Sequence, residues 1–202
     1  MILMAEIKLF DKWTCNAEIK ALGLKGYINV APVVVPRKSH GRHSRQQFYK
    51  NDVPIVERIM NHMFVPGHRG KRHKYTSGLC SGASFTNYEN MKAALTIVEE
   101  KSKKNPIEVL VKAIENAAPR EEVSSYQIGS IIARKAVVSA PQRRVDLAIR
   151  FIVQGAFRKT HGTKKKMPQA LADEIIAASN NSKDSFSVQE RDRLEKEAEG
   201  AR

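Results

Sequence analysis

A chain of 202 residues fits one compact domain with appended arms, and 42% hydrophobic residues can fill one core. The charge is lopsided, 35 Lys+Arg against 21 Asp+Glu for a formal net of +14, a field that draws polyanions and points to nucleic acid or an acidic membrane surface. The membrane choice is the weaker, because Glu6 and Lys8 interrupt the apolar start before a signal-peptide core is complete and no run approaches a bilayer-spanning length.

A soluble, cytoplasmic protein is therefore expected, with Cys15 and Cys80 as free thiols in a reducing compartment. Only 6% of residues are aromatic, which leaves little for an extended base-stacking platform.

In chain order, residues 1–52 read as an N-terminal extension and residues 53–202 as a helical domain. The stretch Ala31 to Pro36 is extended, since two prolines disfavour helix and the valines favour strand. A basic arm follows, with Arg37, Lys38, Arg42, Arg45 and Lys50 and no acid. The first helix comes after Pro54 and carries Val56, Ile59, Met60 and Met63 at helical spacing. A Gly- and Ser-rich loop then holds a second basic cluster, with Arg69, Lys71, Arg72 and Lys74 between His68 and Lys74.

The second helix (Met91, Ala94, Leu95, Val98) is expected to open on the capping pattern from Thr86 to Glu89. The third (Ile107, Leu110, Val111, Ile114) has Asn105 as cap, Pro106 in the first turn, and Glu108 placed to reach back. Between about 122 and 140 the rhythm changes. Tyr126, Ile128, Ile131, Ile132, Val137 and Val138 surround Gly129-Ser130, the pattern of a β-hairpin that projects from the helices. The fourth helix follows Pro141 with Val145, Ala148, Ile149, Ile152, Val153 and Ala156, and runs into a third basic cluster, Arg158, Lys159, Lys164, Lys165 and Lys166. Leu171, Ile175 and Ala178 give the fifth helix, and the sixth is expected to start at Ser187 with Glu190 completing a capping box. The fold class is mainly α: a six-helix, bundle-like core, an inserted projecting hairpin and an extended basic N-terminal arm.

No catalytic constellation emerges. His68, His73 and Cys80 match no compact Cys/His zinc spacing. The segment from Gly78 to Ser84 lacks the Gly-Lys-Ser/Thr ending of a phosphate-cradling loop. Glu121 and Glu122 are adjacent rather than opposed across a cleft, and read as partners for Arg120 or Arg143. No metal, cofactor or enzymatic role is expected. Basic runs free of acid, set in loops rather than on mixed-charge helix faces, keep an uncompensated field suited to phosphates. A helix-turn-helix DNA regulator is the rival in the nucleic-acid class, distinguished by preference for a palindromic duplex.

Several motifs carry a resemblance: Pro54 to Arg58, Asn105 to Val111, Pro119-Arg120-Glu121, Pro141 to Ala148 and Leu171 to Ala178. In order and spacing they resemble the universal S-seven family of small-subunit ribosomal proteins, called S-five in eukaryotes. The likeness covers roughly residues 53 to 202, and the Lys12-Trp13 region with its following arm is similar to the archaeal and eukaryotic branch. It implies a structural constituent of the small ribosomal subunit that binds the 3′ major (head) domain of small-subunit rRNA, supports head assembly, and has neighbouring head proteins as partners. It also implies a ribbon near the exit-site tRNA and the mRNA path. Arg143 and Arg144 match the family's Pro-x-Arg-Arg pair, and Tyr126, Gln127, Gly129, Ser130, Arg134 and Lys135 fall on its ribbon. Two departures stand out: the loop from about Pro66 to Gly82 is lengthened, and the first ribbon strand is poor in basic residues.

Overall fold

The computed structural model describes residues 7–33, 41, 45–67 and 83–202. Among the described residues, six α-helices and one hairpin follow in order: α1 (Ile55–Met63), α2 (Ser84–Ser102), α3 (Pro106–Ala117), β1 (Glu121–Ile128), β2 (Ile131–Val138), α4 (Pro141–Thr160), α5 (Met167–Ser179) and α6 (Phe186–Glu199). The expected mainly helical fold with an inserted hairpin is what the chain adopts.

Burial follows composition. α3 is apolar around most of its circumference, with Ile107, Val109, Leu110, Val111, Ala113, Ile114 and Ala117 all buried, so it can only lie inside. α5 packs against α2, α3 and α4, and its small residues Ala170, Ala172 and Ala178 allow close approach on several sides. Each fully buried Leu or Ile, such as Leu110, Ile149 or Leu171, contributes roughly 1.5–3 kcal/mol relative to exposure.

Residues preceding α1 belong to the same core: Trp13, Leu24 and Ile28 are buried in it. The indole Nε1 of Trp13 donates to Glu99 of α2 (3.0 Å), and the Ala21 N–H donates to Glu115 of α3 (2.8 Å). α1 has Pro54 at its N-cap, which offers no side-chain acceptor, and the carbonyl of Asn29 takes the Ile55 N–H instead (2.8 Å).

The expected start of α3 holds: Asn105 Oδ1 accepts the Ile107 N–H (3.0 Å) and Pro106 occupies the first turn. Glu108 makes no return bond; the Asn105 amide turns to the Thr14 carbonyl instead (3.0 Å). At α2 the expected capping box is wrong. The helix begins at Ser84 with no side-chain cap, so Thr86 to Glu89 lie within its first turns. At α6 the cap is Ser185, whose hydroxyl accepts the Val188 N–H, two residues earlier than expected. Ser187 faces inward: its N–H (3.0 Å) and hydroxyl (3.2 Å) both reach Oε1 of the fully buried Glu174. Ser185 Oγ (2.7 Å) and Lys159 Nζ (2.6 Å) complete the shell of that carboxylate, which a buried charge requires. Gly155 makes room for it, since a Cβ there would lie 2.9 Å from Glu174 Cδ and 2.9 Å from Phe186 Cβ.

The two strands pair antiparallel from Glu121↔Val138 to Ile128↔Ile131, leaving Gly129-Ser130 as a two-residue turn. Gly129 has φ +61°, the left-handed value at the first turn position that type II′ hairpins reserve for glycine.

Candidate nucleic-acid interface

Arg37, Lys38 and Arg42 of the arm, and Arg69, Lys71, Arg72 and Lys74 of the long loop, lie outside the described residues, as do His68, His73 and Cys80. The remaining candidates fall into two groups, distinguished by whether a carboxylate holds them.

Lys50 is held. Its Nζ lies 2.8 Å from Asp146 Oδ2, while Asp146 Oδ1 takes Arg58 Nη2 at 2.8 Å. Arg58 is buried, and its Nη1 also donates to the Tyr27 carbonyl (2.9 Å). Burial pushes the Asp146 carboxyl up, but the hydrogen bonds and charges of Lys50 and Arg58 outweigh it and hold the group below the ordinary aspartate range. His62 lies in the field of these groups, and burial takes its pKa down to about 4, so the imidazole is neutral at pH 7.

Arg143, at the start of α4, is also held: Nε lies 2.7 and 2.8 Å from the two oxygens of Glu122 on β1. That hydrogen bond fixes its charge more firmly. Neighbouring Arg144 uses Nε to bond the Pro119 carbonyl (3.0 Å), which ties the N-terminus of α4 to the approach to β1. Adjacent in sequence, the two arginines thus splay to different tasks. Both brace the hairpin base.

In the third cluster Lys159 belongs to buried Glu174, and Lys165 pairs with Asp173, which also takes Lys101 Nζ at 2.6 Å. Arg158 places its guanidinium 4.3 Å from the centre of the Phe186 ring. Lys164 and Lys166 are exposed and form no ion pair among the described residues. The same holds for Arg45, Arg134 and Lys135.

On the ribbon, the register puts Tyr126 opposite Ala133, Ser125 opposite Arg134 and Ser124 opposite Lys135. Gln127 folds back, Nε2 donating to the Gly129 carbonyl (2.9 Å), and the turn residues Gly129 and Ser130 are exposed. The tip is apolar rather than basic: Ile128, Ile131 and Ile132 are 63%, 71% and 69% exposed. Unpaired cations therefore sit on the second strand, behind an apolar end.

A further exposed cation lies outside the three basic clusters. Arg150 is exposed on α4 with no ion pair among the described residues, and its sequence signal was spacing, since Arg150, Gln154 and Arg158 recur every four residues on one helix face. Among the described residues no group of three His, Cys, Asp or Glu side chains is placed to hold a metal ion, and no helix is long and apolar enough to cross a membrane.

Residues 24–202 match the family described as ribosomal protein S7p/S5e. The chain belongs to that family. It is 44% identical over 201 residues to the small ribosomal subunit protein uS7 of Nanoarchaeum equitans, covering 98% of this chain and 100% of that one. The uS7 proteins of Methanothrix thermoacetophila and Methanosphaera stadtmanae are 41% and 42% identical, with 97% and 96% of this chain covered and 100% and 98% of theirs. As an S7p/S5e protein the chain is a structural constituent of the small ribosomal subunit and not an enzyme.

Proposed function

We propose that this S7p/S5e protein binds the 3′ major (head) domain of small-subunit rRNA, supports assembly of the head beside neighbouring head proteins, and sets its hairpin near the exit-site tRNA and the mRNA path. The observation that carries the reading is the sorting of cations. Lys50, Arg143, Lys159 and Lys165 are paired with Asp146, Glu122, Glu174 and Asp173, whereas Arg45, Lys164, Lys166, Arg134 and Lys135 are exposed without carboxylate partners among the described residues. Folded RNA is gripped in this way, through phosphates and shape, with few aromatic platforms needed. The arm residues Arg37, Lys38 and Arg42 and the loop residues Arg69, Lys71, Arg72 and Lys74 are assigned to the same surface on their charge and the family resemblance.

The test is binding to a head-domain rRNA fragment against competitor duplex DNA. Preferential, salt-sensitive binding to the RNA is expected; equal or tighter binding to the duplex would overturn the reading.

A further inference from the structure

An apolar groove of about 400 Å³ is bounded by residues 7–11, residues 29–33 and the start of α1. Met60 of α1, Tyr88 of α2 and Ile107 of α3 also line it, and the Phe10 and Tyr88 rings meet 4.8 Å apart on its wall. Ile7, Val33 and Tyr88 are exposed, as is Phe85, one turn before Tyr88 on α2. Apolar surface gathered around a groove, rather than scattered singly, marks contact with another protein. We propose that this groove receives an extended segment of a neighbouring ribosomal protein, alternately apolar and basic, which adds as a strand beside residues 30–32. The assignment rests on the reading above that other head proteins lie beside the chain, and gives one of them a seat.

Charge separates this surface from the RNA candidates. On a chain of net charge +14, the described lining residues hold Lys8 against Asp11 and Glu57, and none of the exposed cations Arg45, Lys164, Lys166, Arg134 and Lys135 is among them. Neither acid forms an ion pair among the described residues. Glu57 is half-buried, and burial pushes its carboxyl up against the lowering effect of a hydrogen bond with Asn61. A cation brought by a partner would relieve that carboxylate, whereas a phosphate would be repelled by both acids.

The backbone along the groove gives the partner its geometry. Asn29 bridges to Pro54 in parallel, its carbonyl taking the Ile55 N–H (2.8 Å), and this uses one edge of the segment. Backbone groups alternate between the two edges of a strand, so Val30 and Pro32 fall on the edge that Asn29 does not use. The N–H and carbonyl of Val30 and the carbonyl of Pro32 form no hydrogen bond among the described residues, and both residues line the groove. An extended peptide adds to such an edge through main-chain bonds while alternate side chains enter pockets. Here the inward ones meet Met60, Tyr88 and Ile107, and a cation between them reaches Glu57 or Asp11.

The test is site-specific photo-cross-linking in assembled subunits. The full chain, with p-benzoylphenylalanine in place of the exposed Val33, is incorporated into small subunits, which are purified and irradiated; the linked fragment is identified by mass spectrometry. The expected product joins the groove to a segment of one ribosomal protein in which apolar and basic residues alternate. Glu57→Gln is expected to lower its yield several-fold, while the melting curve and the affinity of the free chain for the head-domain rRNA fragment stay at wild type. A link to rRNA, to an acidic protein segment or to this chain's own residues would overturn the proposal, and so would no link from an incorporated chain. An unchanged yield in folded Glu57→Gln would overturn it too. Those results leave the RNA-binding reading standing; failure of the labelled and wild-type chains alike to enter small subunits would overturn that reading and the groove assignment with it.

Discussion

Asp146 on α4 ties down a segment some ninety residues earlier in the chain, since its carboxylate holds Lys50 and the buried Arg58 at once. Replacing it with Asn leaves the Arg58 guanidinium without its counter-charge, a loss on the order of 3 kcal/mol. The sign with pH follows from the lowered pKa. The stabilisation is full above the unfolded-state value and fades as pH falls through the folded-state one, so wild type and Asp146→Asn should converge in acid denaturation curves. His62 acts in a different window. Its pKa is depressed from 6.5 to about 4 by burial, with Asp146 pulling it up and Lys50, Arg150 and Arg58 pushing it down. The unfolded chain therefore takes up the proton first, and stability should decline as pH drops from about 6.5 towards 4, by up to about 3 kcal/mol. A His62→Gln variant should lose that slope when denaturant midpoints are compared at pH 7 and pH 4.5. Neither effect was legible in the sequence, where Lys50 reads as an RNA-binding residue; the partner that claims it lies 96 residues away.

Helix existence was readable because period and punctuation agree: apolar residues at helical spacing follow Pro54, Pro106, Pro141 and Pro168, and a helix is found at each. Caps were less readable. Ser187 with Glu190 has the pattern of a capping box, but the fully buried Glu174 needs donors and claims Ser187 from another helix, which moves the cap to Ser185. The close approach that permits this runs through Gly155. Gly155→Ala should therefore destabilise the protein by roughly 1–3 kcal/mol, although alanine is the better helix former, with the loss read from the thermal midpoint. The hairpin differs, because its outer half touches little. Its base is clamped by Arg143 to Glu122, by Arg202 to Glu121 (2.5 Å) and by the Arg120 N–H to Glu195 (3.0 Å). Replacing residues 126–133 with Asn-Gly rejoins the register partners Ser125 and Arg134. The helical circular-dichroism signal and melting temperature should stay near wild type; global unfolding would show that the ribbon is part of the core.

At the scale of the whole molecule, a net charge of +14 says only that a polyanion is attracted. The folded chain resolves that total into cations spent on carboxylates and cations left exposed, and among the described residues the latter include Arg134 and Lys135 on the second ribbon strand, Lys164 and Lys166 after α4, Arg45, and Arg150 on α4. Composition and cluster position found the loops but could not say which lysines were already paired, since ion pairs such as Lys101 with Asp173 depend on packing between distant elements. Nor did the N-terminal region show in advance that Trp13, Leu24 and Ile28 enter the helical core, because its apolar residues follow neither helical nor strand periodicity.

The most direct measurement is the salt dependence of binding to a head-domain rRNA fragment, for the full chain and for a chain lacking residues 37–45. That deletion removes Arg37, Lys38, Arg42 and Arg45 while sparing Lys50 for Asp146. If the exposed cations hold the RNA, the deletion leaves the melting curve near wild type, weakens binding, and flattens the slope by about 0.7–0.9 for each phosphate no longer neutralised. An unchanged slope in a folded deletion variant would contradict it.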